Sequence, residues 1–119
     1  MNINELRINN LISHRGLICT VEIINGELDE IYFLGEDFYH WDKPENLEGV
    51  PLTEEVLLKF GFDDLGDYGF GIGEFHIRMH SNELYFPISN RKIYIIKVHQ
   101  LQNLYFALTG KELTSTKAN

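Results

Sequence analysis

Two histidines four residues apart are the first feature of this chain that could bind a metal. His76 and His80 enclose the segment HIRMH, and on a helix this spacing would place both imidazoles on one face, as in zinc sites. Phe75, Ile77 and Met79 alternate with the polar residues, however, and this alternation predicts a strand. Residues four apart on a strand are separated by about 13 Å, so the pattern predicts no zinc site.

The segment DDLGDYGFGIGE, from Asp63 to Glu74, combines glycines with carboxylates. Its glycines do not follow the spacing of a dinucleotide-binding loop or a P-loop, and its acids would repel a phosphate. The acids partly resemble the ligands of a calcium-binding EF-hand loop, but Leu65 and Tyr68 stand where that loop needs a ligand and a glycine. We therefore interpret the segment as a mobile loop or bulged hairpin that contacts a partner, and we predict neither a metal nor a cofactor.

The chain has one cysteine, Cys19, which alternates with Val21 and Ile23 on the side of a strand predicted to be buried. A buried, unreactive thiol is therefore favoured over a nucleophile. Ser13 and His14 are adjacent but have no acidic residue near them in the sequence.

No nucleophile elbow, pair of carboxylates or Schiff-base motif is present, and we predict that the protein is not an enzyme. An enzyme would require an enclosed pocket on which His40, His76 or Asp67 converge.

Length and composition predict one folded domain covering residues 1–119, because 44% of the residues are hydrophobic and a chain of this size can bury a core. The sequence shows neither a membrane-spanning run nor a signal peptide, and the single cysteine suits a reducing compartment. We expect the protein to be cytoplasmic.

The net charge of −8 is unevenly distributed along the chain. From Glu27 to Glu74 there are 14 acidic residues and only two basic ones, Lys43 and Lys59. This block would be repelled by nucleic acid and attracted by a basic protein groove. The alternative reading is a solvated acidic face that keeps the protein soluble.

Alternating apolar residues, short turns and two helical patterns predict an α+β fold. We expect a curved antiparallel sheet or a small SH3-like barrel of six to seven strands, with helices at about 53–60 and 97–109. Thr53 is a good N-cap for the first helix, and Gly110 is placed to end the second. In the second helix, Val98, Leu101 and Leu108 belong to a stripe that predicts a buried face.

Aromatic residues beside acids are typical of protein interfaces. The alternative is that most aromatic residues beside acids in this sequence pack in the core or at a sheet edge. The residues that we predict to bind a partner are Asp63, Asp64, Asp67, Tyr68, Phe70, Glu74, Glu36, Asp37, Tyr39 and Trp41.

Three segments carry a resemblance to a known family: ELRINNLI near the start, PLTEEVLLKFGF in the middle and HQLQNLYFALTGKEL at the end. Together they resemble a family of small uncharacterised proteins of Bacteroidetes bacteria, their phages and their mobile elements. The chain departs from the family pattern at Asn9, Val56 and Lys111. The resemblance implies a phage or mobile-element protein in a bacterial cytoplasm, and it implies no catalytic residue.

These features lead to the hypothesis of a non-enzymatic protein that binds a host protein. The partner would have a basic groove, as an RNA-guided nuclease of a CRISPR-type defence does, and the protein would inhibit it through its acidic surface. The alternative is a small accessory module of a mobile element that binds nucleic acid through the basic residues Arg7, Arg15, Arg78, Arg91, Lys92 and Lys97.

Overall fold

The computed structural model of the protein describes residues 1–35 and 39–114. They fall into two compact units: Met1–Pro51 with Lys97–Leu104 form the first, and Leu52–Ile96 with the residues from Tyr105 onward form the second. Two five-stranded antiparallel sheets and two α-helices are described, which confirms the predicted α+β class. The expectation of a single domain stays a prediction.

The first sheet belongs to the first unit and has the order β4-β3-β2-β1-β5. Its strands are β1 (Leu11–His14), β2 (Leu17–Asn25), β3 (Glu30–Leu34), β4 (Tyr39–Asp42) and β5 (Glu48–Gly49). Arg15 and Gly16 connect β1 to β2, with φ of 53° and 83°. Positive φ at both turn residues matches the right-handed twist of the paired strands, so this two-residue turn is a favourable hairpin connection.

The first sheet is strongly curved. His14 ends β1 and Asp42 ends β4, three strands away in the sheet order, yet Nε2 of His14 lies 3.0 Å from Oδ2 of Asp42. Three strand spacings in a flat sheet would separate the two backbones by about 14 Å, which is more than two such side chains can span. The ring of Phe33 lies on the concave side, with its centroid 4.8 Å from that of His14.

A β-bulge in β2 changes which residues face the core. The pairing of β2 with β3 shifts between Val21 and Ile23, so Glu22 is an extra residue on one strand. Val21 is buried, whereas Ile23 is exposed on the opposite face. The sequence pattern predicted Ile23 on the buried side with Cys19; this was wrong, because strict alternation fails where a strand gains a residue.

The second sheet belongs to the second unit and has the order β10-β9-β8-β7-β6. Its strands are β6 (Asp63–Asp64), β7 (Phe70–Ile72), β8 (Phe75–His80), β9 (Glu83–Ile88) and β10 (Arg91–Tyr94). The described strands outnumber the six or seven expected, because β5, β6 and β7 are only two or three residues long and lie in segments that the sequence pattern presents as loops.

The two α-helices agree with those predicted from the sequence: α1 covers Glu54–Lys59 and α2 covers Val98–Thr109. Oγ1 of Thr53 accepts a hydrogen bond from the backbone N–H of Val56, as expected of an N-cap. Gly110 follows α2 with φ of 73°, the left-handed conformation that ends many helices.

Only part of the predicted apolar stripe of α2 is buried. Val98 and Leu101 are fully buried, whereas Leu108 is exposed. Two polar residues of the same helix, His99 and Gln102, are buried instead. The start of α2 therefore contributes polar side chains as well as apolar ones to the interior of the first unit.

Gln102 binds the backbone next to β1 in the manner of a neighbouring strand. Its Oε1 accepts a hydrogen bond from the N–H of Leu11 at 2.8 Å, and its Nε2 donates to the carbonyl of Asn9 at 3.1 Å. The strand β5 pairs with β1 only at Ile12 and Ser13. The side-chain amide of Gln102 therefore continues the ladder where β5 stops.

Asn103 extends this attachment through a second set of side-chain contacts. Its Oδ1 accepts hydrogen bonds from Nδ2 of Asn10 at 2.8 Å and from Nε of Arg7 at 3.2 Å, and its Nδ2 donates to the carbonyl of Glu5. Asn10 is completely buried. The segment from Glu5 to Asn10 and the start of α2 are thus joined by side-chain hydrogen bonds.

Candidate protein-binding surfaces

The structure divides the predicted partner-binding residues between the two units. Tyr39 and Trp41 lie on β4 in the first unit, and the acidic segment from Asp63 to Glu74 lies in the second. Glu36 and Asp37 lie outside the described residues. We therefore describe two candidate surfaces, one in each unit.

The first surface is the outer face of the first sheet, on the side opposite its buried core. Trp41 stands opposite Tyr32, and Tyr32 stands opposite Ile23 across the next pair of strands. Tyr39 and Ile18 belong to the same face, because paired residues of an antiparallel sheet point to the same side and residues two apart on a strand do likewise. We call this set the outer aromatic face, and its members are Ile18, Ile23, Tyr32, Tyr39 and Trp41.

The outer aromatic face exposes a large apolar area. Ile18 is 60% exposed, Ile23 54%, Tyr39 63% and Trp41 53%. These four side chains together expose on the order of 400 Å², which is comparable to the largest apolar patch of a typical monomeric protein and is often functional. Tyr39 and Trp41 were predicted to bind a partner from the sequence, whereas Ile18 and Ile23 were not. Ile23 was placed on the buried side because the bulge at Glu22 leaves no signal in the alternation.

The second surface is the hairpin formed by β6, a 3-10 turn at Gly66–Tyr68, and β7. Its acidic residues are exposed, and none of them forms an ion pair with a residue that the structure describes. Oδ1 of Asp64 accepts a hydrogen bond from the N–H of Gly66 at 2.9 Å and holds the turn. We call this set the acidic hairpin, and its members are Asp63, Asp64, Asp67 and Glu74.

The aromatic residues of this hairpin have opposite roles. Tyr68 is 76% exposed and is the most exposed aromatic residue of the described chain. Phe70 is only 4% exposed and stands opposite the buried Ile77 in the pairing of β7 with β8. The prediction that Phe70 contacts a partner was wrong, because its position on β7 points its ring into the core.

The glycines of the hairpin allow the backbone strands to approach closely. A Cβ at Gly69 would lie 2.2 Å from the carbonyl oxygen of Ile77, and φ at Gly69 is 96°. A Cβ at Gly71 would lie 2.5 Å from Cδ2 of His76. Gly69 and Gly71 therefore allow this close packing, and of the two sequence interpretations the hairpin is the one that the structure shows.

An open groove of about 560 Å³ borders the acidic hairpin. Tyr68 and Glu74 of the second surface line it, together with His76 and Arg78 from β8. The remaining lining residues are Leu65, Phe86 and Pro87. Of the three residues proposed for an enzyme, only His76 lines this groove; His40 lies on β4 with its ring stacked on Phe33.

Asp42 and His14 form a carboxylate–imidazole pair that the sequence did not reveal, because they are far apart in the chain. The side chain of Asn46 and the backbone N–H of Lys43 donate hydrogen bonds to Asp42. These contacts, with a smaller contribution from His14, lower the pKa of Asp42 to about 2. The carboxylate of Asp42 thus links β1, the end of β4 and the following turn through its hydrogen bonds, which is a structural role.

His99 is a buried histidine of the first unit. Its Nε2 lies 3.3 Å from a carboxylate oxygen of Glu5, and its Nδ1 has no hydrogen-bond partner among the described residues. Burial lowers the pKa of His99, Lys97 adds to this, and Glu5 opposes it. A neutral imidazole that donates from Nε2 to Glu5 satisfies this arrangement, with Nδ1 as a bare acceptor.

The thiol of Cys19 is buried, and burial raises its pKa. This agrees with the prediction of an unreactive cysteine, since the thiolate is the nucleophilic form. Within residues 1–35 and 39–114, no three histidine, cysteine or acidic side chains are placed to hold a metal ion. Neither α-helix in those ranges has the length and apolar character needed to cross a membrane.

Comparison with known proteins gives no further indication of function: the chain matches no protein-family model, no curated protein and no solved structure.

Proposed function

We propose that this protein is a non-enzymatic binding protein whose partner is a host protein. The observation that carries the proposal is the outer aromatic face, where two aromatic and two aliphatic side chains are each more than half exposed on one side of a sheet. Burying such side chains against a partner is favourable at about 25 cal/mol per Å². Tyr and Trp are also enriched among the residues that dominate binding energies.

The acidic hairpin indicates the charge of the partner. Asp63, Asp64, Asp67 and Glu74 are exposed carboxylates without a described counter-ion, so a positively charged surface would gain most from contact with them. Complementary charge chiefly increases the rate of association and selects the partner. A protein groove that binds nucleic acid is positively charged, and we propose an RNA-guided nuclease as the partner. In the phage or mobile-element context that the resemblance suggests, occupying the groove would inhibit the nuclease.

Affinity capture tests this proposal. The purified protein would be immobilised and exposed to nuclease-treated host lysate, alongside a variant carrying Tyr39→Ser and Trp41→Ser. Both side chains are exposed, so the variant should fold, and we expect it to lose at least ten-fold in partner recovery. The charge variant Asp63→Asn, Asp64→Asn and Asp67→Asn should associate more slowly, and its binding should depend less on salt.

The matched control removes three exposed carboxylates elsewhere by substituting glutamine at Glu45, Glu54 and Glu55. Its binding should equal that of the wild type. Recovery of the same proteins by the wild type and the Tyr39/Trp41 variant would exclude the outer aromatic face as the binding site. Equal effects of the two charge variants would show that only total charge matters.

A further inference from the structure

The solvent face of the second sheet carries cations and tyrosines side by side. Arg78 on β8 stands opposite Tyr85 on β9, and Tyr85 stands opposite Tyr94 on β10. Lys92 lies on the same face, with Nζ 5.0 Å from the centroid of the Tyr85 ring. Four side chains able to bind phosphate or to stack on a base thus occupy three adjacent strands.

We propose that this face binds single-stranded nucleic acid. Aromatic rings on an open sheet provide platforms for unpaired bases, and neighbouring arginine and lysine side chains hold the phosphates. The rings of Tyr85 and Tyr94 are 6.0 Å apart and tilted by 55°, so they offer separate platforms. Tyr94 is exposed and Tyr85 is partly covered by Lys92, which makes Tyr94 the principal platform.

The groove beside the acidic hairpin extends this face. Arg78 belongs to both, since it lines the groove that also contains Tyr68 and His76. A strand bound to Tyr94 and Lys92 could therefore continue past Arg78 to the exposed ring of Tyr68. This path places the exposed Tyr94 and Tyr68 on either side of Arg78, so that bases would stack on the rings while the guanidinium holds a phosphate.

The acidic residues on this path limit the affinity. Glu83 stands opposite His80 in the pairing of β8 with β9, and Glu74 lines the groove. Their carboxylates repel phosphate but can accept hydrogen bonds from the amino groups of bases. With two cations on the face, Arg78 and Lys92, we expect weak binding whose affinity falls with salt at a slope of about −1.4 on logarithmic axes.

The proposal goes beyond protein binding. Its principal residues, Arg78, Tyr94 and Lys92, lie outside the two candidate protein-binding surfaces, and the path shares only Tyr68 and Glu74 with the hairpin.

The proposal also changes the set of basic residues that the sequence suggested for nucleic acid. Arg7 donates to Asn103 and to the carbonyl of Gln102, so it holds the first unit together, whereas Arg78 and Lys92 share one solvent face.

Fluorescence anisotropy with a labelled oligothymidylate of about 12 nucleotides, within the usual site size, provides the test. We expect binding at about 50 mM salt that weakens at about 200 mM. Tyr94→Ala should weaken binding about five- to 100-fold, as loss of a stacking platform does. The double variant Arg78→Gln and Lys92→Gln should reduce the slope of affinity against salt.

Two matched controls keep the test specific. Tyr39→Ala removes an exposed tyrosine from the outer aromatic face, and Lys59→Gln with Lys111→Gln removes two exposed cations from elsewhere in the second unit; neither should change the affinity. Absence of binding at low salt, equal affinity for a duplex of the same length, or an unchanged affinity in Tyr94→Ala would overturn the proposal. Displacement of the oligonucleotide by polyglutamate at equal charge concentration would show a general anion surface and would overturn it as well.

Discussion

Gln102 offers a direct test of how the first unit is held together, because its side-chain amide occupies the place of a backbone peptide beside β1. The side chain is 2% exposed and makes two backbone hydrogen bonds, with Leu11 and Asn9. Gln102→Ala would leave a donor and an acceptor without partners, at a cost of about 1–3 kcal/mol each. The cavity left by the side chain adds to this, and we expect a loss of about 3–5 kcal/mol, a large fraction of the stability of a typical domain.

Urea unfolding followed by circular dichroism would measure this loss, with Gln100→Ala as the control. Gln100 is exposed on the same helix, and its Oε1 accepts a hydrogen bond from the N–H of Lys97, so its removal should cost about 1 kcal/mol. Amide hydrogen exchange gives a local readout, because the N–H of Leu11 should lose protection in Gln102→Ala. A cost for Gln102→Ala no greater than that for Gln100→Ala, with Leu11 still protected, would refute this account of the amide.

Two further predictions concern one group in each unit. The pKa of Asp42 falls from 3.8 to about 2 on folding, so its ionised form stabilises the fold above about pH 4. This contribution of at most about 2 kcal/mol is lost as the pH falls through 2. In acid unfolding monitored by fluorescence, the loss of stability with falling pH should be smaller in Asp42→Asn and unchanged in Asp63→Asn. Gly69→Ala should lower the free energy of unfolding in urea by at least about 3 kcal/mol, because the new Cβ would overlap the carbonyl of Ile77 and φ at this position is positive. Gly73→Ala is the control: its Cβ would meet open space, and the loss should be about 1 kcal/mol. Equal midpoints for the two glycine variants would contradict the close approach of Gly69 to β8.

The helices and most strands could be predicted from local signals that the structure preserves. Thr53 and Gly110 mark helix ends through chemistry that depends only on neighbouring residues. The alternation around His76 and His80 correctly indicated a strand, where the two imidazoles cannot share a metal. Such signals depend on only a few neighbouring residues, and the tertiary contacts of this protein favour the same helices and strands.

The composition of the candidate surfaces was less accessible, because it depends on single-residue shifts and on distant contacts. The bulge at Glu22 turned Ile23 outward, and Phe70 points inward because it stands opposite the buried Ile77 on β8. Asp42 and His14 form their hydrogen bond only because the first sheet is curved. None of these arrangements leaves a periodic pattern in the sequence.

The hydrogen bond from Leu11 to Gln102 closes a separation of 91 residues, which has a consequence for biosynthesis. At a translation rate of about 5–20 residues per second, roughly 5–20 s pass between the appearance of the two partners. During this interval, the nascent chain presents an open strand edge beside the ribosome, where it is vulnerable to premature association or proteolysis. Chaperone protection should therefore matter most for this protein before α2 has left the exit tunnel.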